Sequence, residues 1–249
     1  MIKFLRYATI FKAYELLQPL LKYSLPLEEG LPGDVVLVIA PHPDDEAIGC
    51  GGTVRRHVRS GKGAHVVFCT MDTPVRRHEA VAAAGMAGYA ATHWLDYPVG
   101  SLQGRDDLHI RLGALYAQNK PDVILVPFAL DNHADHRAVN MALARMAETA
   151  GADCMVYAYP VWFPLYPNVL IDVSGVWEEK KKMIECYASQ TATRDYVTMS
   201  RSLGAYWAQV KGRDLAVVET FFRMTLSGYA GLTRRLLDNA ETTQGAPHA

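Results

Sequence analysis

The sequence predicts an α/β domain in which a mainly parallel sheet carries helices on both faces. Three observations lead there. Two apolar, β-branched runs, Val35–Ala40 and Asp122–Pro127, have the composition of strands buried on both sides. Strand-like runs alternate with segments of helical composition, and that alternation implies crossover connections between parallel strands. A chain of 249 residues, 50% of them hydrophobic, is long enough to bury the single core that such a sheet needs.

The elements follow in chain order. Residues 1–33 read as an N-terminal helical extension and linker. Phe4, Ile10, Phe11, Tyr14, Leu17, Leu20 and Leu21 recur at spacings compatible with an amphipathic helix. Lys3, Arg6, Lys12, Glu15 and Lys22 interrupt the apolar residues, so neither a membrane span nor a signal peptide is expected. Docking on the protein's own surface or on a sister subunit accounts for the pattern, and a homo-oligomer is expected. Peripheral membrane contact through the basic residues is the alternative. Pro26–Asp34 reads as the linker. Val35–Ala40 is the first strand, followed by a helix over Gly49–Ser60 that Gly61 is placed to stop. Ala64–Thr70 is the second strand, Arg76–Tyr89 an alanine-rich helix and Thr92–Asp96 a short third strand. A helix over Leu108–Gln118 leads to the strand Asp122–Pro127, and another helix covers Arg137–Thr149. Met155–Tyr159 and Val169–Val173 are further strands. Trp177–Ala188 and Val197–Val210 are helices, and Leu215–Arg223 is a late strand. The main domain therefore spans 34–225, with a Rossmann-like order of elements. Residues 226–249 are expected as a C-terminal tail, frayed from Asp238 onward.

Charge and cysteine usage narrow the function classes. A formal net charge of −1 gives no bulk attraction to nucleic acid or to an anionic membrane. Cys50, Cys69, Cys154 and Cys186 are widely spaced with no CxxC pair, which fits a reducing, cytoplasmic setting.

The chemistry concentrates at the ends of two strands. After Val35–Ala40 come Pro41-His42-Pro43-Asp44-Asp45-Glu46, and after Asp122–Pro127 comes Asp131-Asn132-His133-Ala134-Asp135-His136. In a parallel sheet both loops leave the same edge, where open α/β sheets bind ligands. Three consecutive acids beside a histidine repel one another unless a cation is present or one acid holds a proton. His42, Asp44, Asp45, His133, Asp135 and His136 together can bind one divalent metal through two imidazoles and a carboxylate, leaving acids and a histidine for proton transfer. Gly49, Gly51 and Gly52 match no phosphate-binding pattern and suit close helix packing instead. The stretch from Tyr157 to Pro167 is rich in aromatics and prolines and suits either packing or an aromatic wall for a sugar.

These residues resemble the LmbE-like, or PIG-L, family of metal-dependent de-N-acetylases. The resemblance rests on the run Pro41–Glu46 followed by Gly51-Gly52-Thr53, together with His133–His136. Weaker matches are Arg76-Arg77-His78-Glu79, the segment Leu170–Ser174, Lys180 and Tyr187-Ala188-Ser189-Gln190, so that it runs from about Asp34 to about Met224. It implies that His42, Asp45 and His136 hold a metal, usually Zn2+, with Fe2+ or another divalent ion as the alternative. It implies Asp44 as general base, His133 as general acid or oxyanion partner, Asp135 as the residue that orients His133, and Arg76 as a contact to the sugar. The substrate it implies is a small N-acetylated amino sugar of the N-acetylglucosamine type. Family members often carry an acid after the third strand where this chain has Val99, so substrate contacts there are expected to differ. A metal-dependent phosphoesterase and a non-catalytic sugar-binding module are the competing classes.

Overall fold

Apolar residues along the central strands point alternately to two cores, which is why helices cover both faces of the sheet. The computed structural model describes residues 9, 11–16, 25–151, 154–163, 165–212 and 214–244. Among them, one sheet contains β1 (Leu27–Glu28), β2 (Val35–Ala40), β3 (Gly63–Thr70), β4 (Ala91–Tyr97), β5 (Val123–Pro127), β6 (Met155–Tyr159), β7 (Val169–Asp172) and β8 (Val218–Thr225). The helices are α1 (Asp45–Arg59), α2 (Pro74–Ala87), α3 (Leu108–Asn119), α4 (Ala134–Ala150), α5 (Trp177–Glu185), α6 (Ala188–Thr191), α7 (Tyr196–Trp207) and α8 (Leu226–Gln244). Val36, Val38 and Ala40 of β2 face a core shared with Val54 of α1 and Ala80 and Ala83 of α2. Leu37 and Ile39 face the opposite core, with Leu112 of α3 and Val139 and Leu143 of α4.

The strands lie in the order β1-β7-β8-β6-β5-β2-β3-β4. All neighbours are parallel except β8, which runs antiparallel between β6 and β7. From β2 the chain builds outward through β3 and β4, then returns to β5 on the other side of β2. The loops that follow β2 and β5 therefore leave the sheet at a topological switch point, side by side at the carboxyl edge.

Several boundaries differ from the sequence expectation. Helix α1 starts at Asp45 rather than Gly49, and α4 at Ala134 rather than Arg137. The acids Asp45, Glu46 and Asp135 thus sit in first helical turns, where the helix dipole favours negative charge. The linker supplies the edge strand β1, pairing Leu27 with Leu170. The stretch expected as a tail opens as α8, whose Leu226 and Tyr229 are buried and whose Tyr229 hydroxyl donates to Asn140 Oδ1 at 2.7 Å. Of the expected N-terminal helix, residues 11–16 are helical and exposed, and most of its other residues lie outside the described ones, as do residues 245–249. Among the described residues, no helix is long and apolar enough to cross a membrane.

Candidate active site

The first loop is stiffened from within. Pro41 and Pro43 restrict its backbone, and Pro41 O accepts both the Thr70 amide at 2.9 Å and the Thr70 hydroxyl at 2.8 Å. The His42 amide donates to Asp45 Oδ2 at 2.8 Å, so the turn bends back on the first residue of α1. In the second loop, His133 is the N-cap of α4, its ring Nδ1 accepting the Asp135 amide at 3.1 Å. Asp135 and His136 follow in the first turn, both fully buried.

The two loops converge on a triangle of atoms. His42 Nδ1 lies 3.2 Å from Asp45 Oδ2, Asp45 Oδ2 lies 3.1 Å from His136 Nε2, and His136 Nε2 lies 3.2 Å from His42 Nδ1. Three ligands at about 2.0 Å from a tetrahedral ion stand about 3.3 Å apart, so the triangle fits one face of such a site. His133 adjoins it, its ring centroid 4.4 Å from that of His42, and a ligand atom from each of His42, His133 and His136 lies within 4.8 Å of the others. The cluster can therefore hold a divalent cation, through either histidine–aspartate or three-histidine combinations.

Each imidazole of the triangle turns its other nitrogen to a carboxylate. Asp135 Oδ2 is 3.0 Å from His42 Nε2, and Asp131 Oδ1 is 3.1 Å from His136 Nδ1. Such outer partners fix ring orientation at metal sites. Asp135 is itself clamped by the amides of Gly100 at 2.6 Å and Leu102 at 3.0 Å. Asp131 accepts the amides of His133 at 3.1 Å and Trp162 at 2.9 Å. Burial works against the charged imidazoles, but Asp135 and Asp45 outweigh it at His42 and raise its pKa to about 9. At His136 burial is likewise outweighed, by Asp45 and Asp131, and the pKa rises to about 10. Asp45, opposed by burial, is held below the usual carboxylate range by His136 and His42. A field that pulls protons onto two buried imidazoles is a field that favours a cation.

Asp44 stands beside the triangle. Burial and the neighbouring Asp45 push its carboxyl well above the usual range, while Arg76 opposes them. Arg76 Nη2 is 3.0 Å from Asp44 Oδ2 and also donates to Pro43 O. Burial, with His42 and His136 nearby, lowers the pKa of His133. Its ring is therefore neutral near pH 7, and because Nδ1 accepts a hydrogen bond, the proton sits on Nε2.

Two expected side-chain roles meet different partners. The Asp135 carboxylate reaches His42 rather than His133; only its backbone amide touches the His133 ring, because the side chain points back across the site toward the first loop. Arg76, implied as a sugar contact, is buried against Asp44 and the Pro43 carbonyl. The aromatic stretch divides: Tyr157 and Tyr159 are core residues, whereas Trp162 is half-buried with its amide on Asp131. Asp131, Glu46, Tyr187 and Trp162 carried no assigned role in the sequence, although Asp131 lies within the second loop motif. Gly49 and Gly52 permit the close approaches expected of them, since a Cβ at Gly52 would lie 2.8 Å from Val173 Cγ1.

Comparison with known proteins agrees with this geometry. Residues 37–147 match the profile of the PIG-L family, described as GlcNAc-PI de-N-acetylase. The chain is 28% identical over 216 residues to the diacetylchitobiose deacetylase of Thermococcus kodakarensis, covering 73% of this chain and 80% of that one. It is 26% identical over 203 residues to the 4-oxalmesaconate hydratase of Pseudomonas putida, covering 67% and 78%. Among solved structures, the conserved protein TT1542 of Thermus thermophilus superposes with a TM-score of 0.70 at 25% identity, covering 76% of this chain and 94% of that one.

Proposed function

We propose that this protein, whose residues 37–147 match the PIG-L family, is a metal-dependent hydrolase that removes the N-acetyl group from an amino sugar of the N-acetylglucosamine type. The observation that supports it most is the triangle of His42 Nδ1, Asp45 Oδ2 and His136 Nε2 with the Asp44 carboxylate alongside. The deacetylase name of the Thermococcus kodakarensis relative points the same way.

In this reading His42, Asp45 and His136 hold zinc, a ligand set of two imidazoles and one carboxylate that suits it. When bound there, such an ion acidifies water and polarises the acetamide carbonyl. Asp44 takes a proton from the attacking water, its carboxylate aimed by Arg76. The water oxygen bonds to the acetyl carbon, and negative charge develops on the carbonyl oxygen. His133 presents Nε2–H to that oxygen, a contribution of roughly 3–4 kcal/mol for one well-placed donor. The proton held by Asp44 passes to the amine nitrogen as the C–N bond breaks, giving acetate and the free amino sugar. Asp131 and Asp135 keep the two imidazoles turned to the site throughout. Cys50, Cys69 and Cys186 are free thiols, which suits a cytoplasmic location.

The test is acetate release from a panel of N-acetylglucosamine conjugates, run beside phosphate release from phosphosugars and hydration of an unsaturated dicarboxylate. Acetate release that a chelator abolishes and zinc restores is the expected result. Metal-loaded protein that releases no acetate, yet shows either of the other activities, overturns the reading.

A further inference from the structure

We infer that Glu46 is a positioning residue for Asp44: it holds the Asp44 amide and so leaves the Asp44 carboxylate to face Arg76 and the substrate. The inference rests on the reading of Asp44 as the base. An aspartate at a helix N-cap ordinarily accepts a hydrogen bond from an amide one turn into the helix. Asp44 is the N-cap of α1 and makes no such bond. Its backbone stands at φ 118°, ψ −31°, a conformation that side-chain-bearing residues rarely adopt and that persists only when surroundings enforce it. The enforcing group is Glu46, whose Oε2 accepts the Asp44 amide at 3.1 Å. The bond is like the returning half of a capping box, an acid inside the helix bonded to the N-cap amide, but made from the second helical position instead of the third and without the outgoing half. The other carboxylate oxygen, Oε1, accepts the Tyr187 hydroxyl. Tyr187 is fully buried beyond the end of α5, and Glu46 is 2% exposed, so the anchor is pinned from a separate element. The strained turn thus points the amide of Asp44 to Glu46 and leaves its carboxylate on Arg76 Nη2, 3.0 Å away.

The test uses the full-length, zinc-loaded protein and the variants Glu46→Ala, Glu46→Gln, Tyr187→Phe, Asp44→Gly and Asp44→Gly/Glu46→Ala. In Glu46→Ala, kcat should fall by about 10- to 100-fold, as for a displacement near 1 Å, with KM and the zinc-to-protein ratio unchanged. Glu46→Gln, whose amide can still accept from Asp44 and donate to Tyr187, should recover most of that loss, and Tyr187→Phe should fall between the two. Thermal unfolding supplies a readout independent of turnover. Glu46→Ala should lower Tm by about 2–4 °C, and by less in the Asp44→Gly background, because glycine holds the turn without an anchor. Equal Tm losses in both backgrounds, zinc loss in Glu46→Ala, or Glu46→Gln no better than Glu46→Ala would each overturn the inference. Coupled Tm values in a protein whose wild type releases no acetate would count against the deacetylase reading alone.

Discussion

Two clusters of buried charge lie against the same helix, α1, and they are built in opposite ways. In the cluster beneath its middle, every charge meets a partner. Lys180 Nζ donates to Glu219 Oε1 at 2.5 Å and to Ile48 O at 2.8 Å, and the Glu219 carboxylate accepts the amides of Gly52 at 2.9 Å and Thr53 at 2.7 Å. At the amino end of α1 the carboxylates of Asp44, Asp45, Asp131 and Asp135 face two imidazoles and Arg76. That excess of negative charge is answered by protons on His42 and His136, whose pKa values rise to about 9 and about 10. The first cluster is closed and holds the fold. The second holds more carboxylates than permanently charged partners, and its two imidazoles can exchange their protons for a cation.

The contrast can be broken by four measurements. The largest effect should come from Asp44→Asn, which removes the base and leaves the triangle in place. Turnover should drop by about 10²–10⁴-fold at an unchanged metal-to-protein ratio, and equal acetate release by the variant would refute the assignment. Next comes Lys180→Ala, which strands Glu219 in the core. Urea unfolding should show a loss of about 3–5 kcal/mol while the ratio of bound metal stays at the wild-type level. A loss below about 1 kcal/mol would mean that the closed cluster is not structural. Asp135→Asn should weaken metal affinity by about 10- to 100-fold through His42, read by competition with a chromophoric chelator. If affinity holds and only turnover falls, Asp135 acts on His133 after all. The last concerns pH. Because His42 and His136 carry protons in the absence of metal, a cation must displace them, so affinity should strengthen as pH rises toward about 9. Each displaced proton corresponds to about tenfold in affinity per pH unit, so the two together give about hundredfold, and a flat profile between pH 6 and 8 would contradict this picture of the site.

How much of this was legible in the sequence depends on the range of the interaction concerned. The strands β2 and β5 were readable because their apolar runs are local and continuous. The histidines and acids at their ends were readable as candidates because loops after parallel strands share an edge. The starts of α1 and α4 were placed too late, since a helix that begins on charged ligating residues shows no apolar period until its second turn. The partner of Asp135 could not be read: its contact to His42 spans 93 residues of sequence, and the nearer His133 was the natural choice. Arg76 reaches Asp44 across 32 residues by the packing of α2 on α1, which no spacing rule predicts. Tyr187 meets Glu46 across 141 residues, and the packing of α5 against α1 and α2 brings them together.

By itself the sequence determined which groups could take part: alternating apolar strands with a two-sided core, and a stock of histidines and carboxylates confined to two loops. Those properties follow from local periodicity and composition, which survive without knowledge of distant contacts. Only the tertiary structure decided which atom faces which. It set His42 Nδ1, Asp45 Oδ2 and His136 Nε2 at mutual contact, turned Asp131 and Asp135 onto the far side of the rings, and gave Asp44 its left-handed turn. Those arrangements depend on strand order at a switch point and on helix packing, and both are set by the balance of contacts over the whole chain rather than by neighbours along it.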